Sequence, residues 1–153
     1  MIPELNDEGL LPPGIHWATW EEIEAAFGSN EHRARLLHGL RLALTSLATA
    51  GCQAVYLDGS FVTAKEMPND YDGCWDPANV NPDLLDPILL NFSAGRQAQK
   101  IKFGGEFFVA SWVETGSGMT FLEFFQIDRH TGNCKGIVAL DPRPLLSARR
   151  SAP

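Results

Sequence analysis

Cysteine is scarce in this chain, and Cys52, Cys74 and Cys134 are neither even in number nor close in spacing. An odd count without Cys-x-x-Cys excludes a disulfide framework and a thiolate zinc site. His16, His32, His38 and His130 also lack ligand-like spacing, and His32 and His38 fall off the one-face repeat of a helix, so all read as surface or interfacial side chains. No apolar run is long enough to span a bilayer, and the acidic start, Met1 to Glu8, lacks the apolar segment of a signal peptide. A cytoplasmic protein without a membrane partner is therefore expected. Positive charge is in deficit as well. With 12 Lys and Arg against 19 Asp and Glu, the net charge of -7 argues against broad electrostatic capture of nucleic acid and leaves only local basic patches to hold an RNA end. Lys100 with Lys102 is one such patch; Arg143, Arg149 and Arg150 crowd the C-terminus and read as a solvated tail.

What remains is ordinary globular composition, 44% hydrophobic and 20% charged, without internal repeats or long disordered tracts. At 153 residues the expectation is one domain, with 1–18 as an N-terminal arm and 141–153 as a C-terminal tail. Thr19-Trp20-Glu21-Glu22 has the form of a capping box and predicts a short helix ending near Gly28. Ser29 or Asn30 starts a longer helix whose Leu36, Leu37, Leu40, Ala43, Leu44 and Leu47 form a core stripe, closed at Gly51. Asn81-Pro82 and Asp86-Pro87 mark further helix starts, and a helix or loop spans Ser93 to Lys102. Strands are predicted at Ala54–Leu57, Asp70–Trp75, Glu106–Glu114, Met119–Asp128 and Lys135–Leu140, with a hairpin at Thr115-Gly116-Ser117-Gly118. The sum is an α+β domain, a mixed sheet with helices packed on one side.

One stretch carries chemistry. The apolar run Ala54-Val55-Tyr56-Leu57 delivers Gly59-Ser60 to a turn, and after a short loop comes Asp70-Tyr71-Asp72. Gly59 lets a phosphate approach the backbone, Ser60 offers a hydroxyl, and a following helix start would present free N–H groups. Asp70 and Asp72, two apart on a strand, share a face, and such a pair is unfavourable unless a cation joins it or one member takes a proton. Mg²⁺ suits carboxylate and phosphate oxygen. On the residues alone, Pro68-Asn69-Asp70 also suits a loop turn closed by Asx hydrogen bonds.

Gly-Ser followed by Asp-x-Asp in a strand resembles the nucleotidyltransferase superfamily with the polymerase-beta-type catalytic core. Leu57-Asp58-Gly59-Ser60-Phe61-Val62-Thr63-Ala64-Lys65 with Pro68-Asn69-Asp70-Tyr71-Asp72-Gly73-Cys74-Trp75 is similar to a small uncharacterised bacterial and phage branch of it. The likeness includes Leu11–His16, Gln99–Glu106 and Lys135–Val138. It implies a metal-dependent transfer of a nucleoside monophosphate from an NTP, with Asp70 and Asp72 holding Mg²⁺ or Mn²⁺. It also implies a third carboxylate, for which Glu106 before Phe107-Phe108-Val109 is the candidate, Glu123 the rival and Glu114 a weaker one. Gly59, Ser60, Lys65, Lys100 and Lys102 are the implied nucleotide contacts, and Tyr71 and Trp75 either stack on a base or belong to the core. The implied acceptor is an RNA 3′ end such as that of tRNA or a protein hydroxyl, ahead of a small metabolite. By analogy with small superfamily members, the setting is toxin–antitoxin or phage defence with a cognate partner. The alternatives are a non-catalytic nucleotide- or partner-binding module on the same fold and a metal-dependent phosphodiesterase.

Overall fold

The computed structural model describes residues 1–151, with side chains through Ser147; the side chains of Arg149 and Arg150 lie outside the described residues. The fold is α+β. Its five-stranded sheet has the order β1-β5-β2-β3-β4, formed by β1 (Gly14–Trp17), β2 (Val55–Asp58), β3 (Tyr71–Trp75), β4 (Gly105–Val109) and β5 (Gly136–Leu140). The outer pairs β1–β5 and β3–β4 are parallel, while β5–β2 and β2–β3 are antiparallel, so the sheet is mixed. The helices are α1 (Trp20–Phe27), α2 (Glu31–Thr49), α3 (Ser93–Phe103), α4 (Phe121–Phe124) and α5 (Pro144–Ser151).

Strand alternation divides the side chains between two faces. Val55, Leu57, Tyr71, Trp75, Phe107, Val109, Val138 and Leu140 point to one face and form the main core with α1, α2, α3 and α5. Cys74, Ile137, Tyr56 and Phe108 point to the other, where the short α4 covers them with Phe121, Leu122 and Phe125. The long helices thus lie on one side, as the sequence predicts. The capping boxes are realised in the backbone: Thr19 accepts from the N–H of Glu22, and Glu22 accepts from that of Thr19. Asn30 caps α2 by accepting from the N–H of Arg33 at 2.8 Å. The leucine stripe of α2 is core, with Leu40, Ala43, Leu44 and Leu47 fully buried; each such leucine contributes roughly 1.5–3 kcal/mol. Gly39 lets α2 lie directly against the Phe103 carbonyl at the end of α3. Gln99 of α3 then joins helix to sheet, its side-chain oxygen accepting from the Phe107 N–H of β4 at 2.6 Å.

Several expectations change in the structure. The strand expected over Met119–Asp128 is instead α4, because Thr120 and Glu123 form a second capping box that begins a helix. The strand expected over Glu106–Glu114 ends at Val109, and the turn at Thr115–Gly118 is held by the Glu114 carboxylate, which accepts from Gly116 and Ser117 N–H. The prolines at 82 and 87 start only short 3₁₀ turns, Pro82–Leu84 and Pro87–Leu90. Within the expected N-terminal arm lies β1, which closes the free edge of β5. Within the expected C-terminal tail lies α5, anchored by buried Leu145, and Arg143 ahead of it pairs with Asp141 at 2.7 Å. Among the described residues no helix is long and apolar enough to cross a membrane.

Candidate functional site

Register aligns the acidic residues. Asp58 of β2 stands opposite Asp72 of β3, and Asp72 opposite Glu106 of β4, a carboxylate row across the sheet on the face that α4 only partly covers. Asp70, just before β3, joins them. One carboxylate oxygen from each of Asp70, Asp72 and Glu106 lies within 4.8 Å of the others, and all three residues are half-buried. Gly59 permits this closeness. Its φ is +88°, and a Cβ there would meet Asp72 Oδ2 at 3.1 Å.

The electrostatics suit a divalent cation. Asp72 is pushed up to about 7, first by burial and then by the charges of Asp70, Glu106 and Asp58. Burial, followed by Glu106, raises Asp70 as well. Three carboxylate oxygens converging in a partly dry site disfavour one another's ionised forms, and a divalent cation would reverse that preference. An all-oxygen donor set matches Mg²⁺ or Mn²⁺.

Positive charge surrounds the row. Lys100 Nζ lies 3.0 Å from Glu106 Oε1 and Arg96 Nε 3.4 Å from the same atom. Lys135, just before β5, lies 2.7 Å from Asp58 Oδ1 and partly offsets the burial that raises the Asp58 carboxyl. Beside the row opens a cleft of about 410 Å³, lined by Asp58, Asp72 and Glu106, by Arg96, Arg129 and Lys135, and by the aromatic rings of Phe108, Phe121 and Phe124.

The loop between Gly59 and Asp70 is held from behind. Arg33 of α2 is buried, with its guanidinium 5.3 Å from the Phe61 ring centroid. It donates to the carbonyls of Phe27 (3.1 Å), Phe61 (2.7 Å), Thr63 (2.9 Å) and Lys65. Asn30 Nδ2 donates to the Glu66 carbonyl at 2.8 Å, and the His32 ring meets the Pro68 carbonyl.

The sequence-derived candidates therefore separate. Asp70, Asp72 and Glu106 come together, with Gly59 beside them and Lys100 on Glu106. The helix start expected behind Gly59 is a single 3₁₀ turn, Ser60–Val62. Lys65 is exposed on the loop, where its charge favours ionised Asp70. Lys102 is removed from the site: it pairs with Asp86, because it lies on the side of α3 that faces the 3₁₀ turns. Glu123 lies outside the cluster, exposed and engaged in capping α4, and Glu114 lines the cleft while its carboxylate accepts from the N–H groups of its own turn. Tyr71 and Trp75 are core; the Tyr71 hydroxyl donates to the Phe103 carbonyl at 2.9 Å. Asp58, Arg96, Arg129 and Lys135 escape a reading of the motif because only strand pairing and the fold of α4 bring them to it.

Among known proteins, the family model described as "Family of unknown function (DUF6932)" matches residues 3–141 of the chain. No curated protein and no solved structure matches it.

Proposed function

From the site of this chain, which belongs to the DUF6932 family of unknown function, we propose metal-dependent nucleotidyl transfer. The observation that carries the reading is the convergence of Asp70, Asp72 and Glu106 oxygens within 4.8 Å. The resemblance of Gly59-Ser60 and Asp70-Tyr71-Asp72 to the polymerase-beta-type nucleotidyltransferases supports it. Asp70, Asp72 and Glu106 would hold the ion, Mg²⁺ or Mn²⁺, which would supply charge neutralisation for a triphosphate and for the departing pyrophosphate.

The chain's own residues do the rest. Gly59 leaves the backbone open at the row, and Lys135 and Arg129 face the cleft as partners for phosphate oxygens. A hydroxyl oxygen of the acceptor attacks the α-phosphorus, the bond to the bridging oxygen of the β-phosphate breaks, and pyrophosphate leaves with that electron pair. The hydroxyl proton passes to a carboxylate, and Glu106 takes it where it does not itself hold a second ion. Acceptors in keeping with the site are an RNA 3′ end or a protein hydroxyl, with a toxin–antitoxin or phage-defence partner as the setting.

The test is incubation with each of four α-labelled nucleoside triphosphates and Mg²⁺ or Mn²⁺, in total tRNA and in cell lysate, beside an Asp70→Asn/Asp72→Asn double variant. Label entering RNA or protein only with the wild type supports transfer. Release of free labelled monophosphate instead marks a phosphodiesterase, and nucleotide binding without turnover marks a binding module.

A further inference from the structure

Part of the cleft is left unused by metal and phosphate chemistry. We propose that its aromatic wall, centred on α4, seats a nucleobase, so that this chain alone grips a whole nucleoside triphosphate; the inference rests on the nucleotidyl-transfer reading above.

Phe121, Phe124 and Ile127 line the cleft while remaining only partly buried, although the sheet behind them offers core to pack on. Rings left at the edge of a concave site retain a hydration cost that a flat aromatic ligand removes. The wall begins at the carboxylates. Arg96 has Nε 3.4 Å from Glu106 Oε1 and its guanidinium 4.6 Å from the Phe108 ring centroid. Phe108 in turn stacks on Phe121 with centroids 4.4 Å apart at 22°. Arg96 and Phe121 thus occupy Phe108, and the accessible ring surface passes to Phe121 and Phe124. The cleft of about 410 Å³ also falls within the size range of small-molecule sites. A bare metal ion or an inorganic phosphate would have no use for the wall.

Calorimetry separates the two ends. The probes are each of the four ribonucleoside triphosphates and inorganic tripolyphosphate, all with Mg²⁺, against wild type, Phe121→Ala and Phe124→Ala. At least one nucleoside triphosphate is expected to bind the wild type roughly ten- to hundredfold more tightly than tripolyphosphate, the increment of one stacked base. Both variants are expected to lose that increment and keep tripolyphosphate affinity. If an alanine variant loses tripolyphosphate too, its fold has failed, and Phe124→Leu, which removes the ring but keeps an apolar side chain, decides. Equal wild-type affinity for nucleotide and tripolyphosphate, or an increment untouched by the variants, overturns the base seat and leaves the metal and phosphate reading standing. No binding of any probe overturns both.

Discussion

Lys135 Nζ, just before β5, lies 2.7 Å from Asp58 Oδ1 at the end of β2, and the two meet only when β5 folds back against β2. Asp58 is 6% exposed and stands opposite Asp72, so the pair places a cation at the end of an otherwise acidic row. The arrangement resolves two demands at once: a buried carboxylate gains its counter-charge, and the cleft gains a fixed ammonium.

Removing only one member should therefore be worse than removing both. Lys135→Met is expected to destabilise the fold by about 3 kcal/mol, since it leaves a buried carboxylate without its partner. Adding Asp58→Asn should recover more than half of that loss. Urea unfolding of the two single variants and the double variant measures the coupling, and additive losses would show that the pair contributes little to folding.

Arg33 makes a second, separable prediction. Its guanidinium satisfies three carbonyls along the loop, at Phe61, Thr63 and Lys65, and that of Phe27 at the end of α1, and no carboxylate is among its hydrogen-bond acceptors. Arg33→Met should cost about 3 kcal/mol, from several orphaned carbonyls and a lost cation–π contact, and Arg33→Lys should rescue little, because an ammonium cannot match the fork. Amide exchange should quicken over residues 61–68 and leave α2 beyond its first turns protected. Uniform acceleration across the chain would mean that Arg33 supports the whole fold and not this loop.

The sequence reveals the site's acidic centre more fully than its surroundings, for physical reasons visible residue by residue. Asp70 and Asp72 share a face by strand alternation, a property of local geometry, and Glu106 follows from its likeness to a motif. Lys135 and Asp58 meet through pairing of β2 with β5, a long-range event that no local pattern encodes. The capping box at Thr19 is legible, yet the same pattern at Thr120 is hidden by Phe121-Leu122-Glu123-Phe124-Phe125, whose aromatic run favours a strand. Packing against Phe108 and Cys74 overrides that preference and makes α4. Lys100 and Lys102 look equivalent in sequence, but two steps along a helix turn them to opposite partners, Glu106 and Asp86.

Gly59 ties backbone to chemistry. Gly59→Ala puts a Cβ 3.1 Å from Asp72 Oδ2 at φ +88°, so the loop must shift or the carboxylate must turn away. The expected cost is about 1–3 kcal/mol of stability, the strain of a side chain at a positive-φ extended position that glycine alone adopts freely, together with a larger fractional loss of Mn²⁺ affinity. Calorimetric Mn²⁺ titration of Gly59→Ala beside Leu40→Ala tests the distinction. The second variant loses core packing alone, about 2–5 kcal/mol, and should bind Mn²⁺ as the wild type does while it remains folded. Equal loss of affinity in both would make Gly59 an ordinary contributor to the fold.

The carboxylate row should also write itself into the pH dependence of stability. Burial and the charges of Asp70, Glu106 and Asp58 raise Asp72 to about 7 in the folded protein, against 3.8 for the free side chain. Between those values the folded state holds a proton that the unfolded state has released, so this group's contribution falls as pH rises and is at its least above about 7. Carboxylates held below their usual range, such as Asp86 with Lys102 and Asp141 with Arg143, act in the opposite sense but at acid pH, outside the window. In EDTA, the melting temperature is expected to decline from pH 5 to pH 8, and Asp72→Asn should flatten the decline. Mn²⁺ needs the deprotonated ligand, so its stabilising effect should grow over the same interval. An Asp72→Asn variant with an undiminished slope would assign the titration elsewhere. A wild type that declines as expected in EDTA but to which Mn²⁺ adds nothing at pH 8 would leave the row a strained acidic cluster with no metal to relieve it.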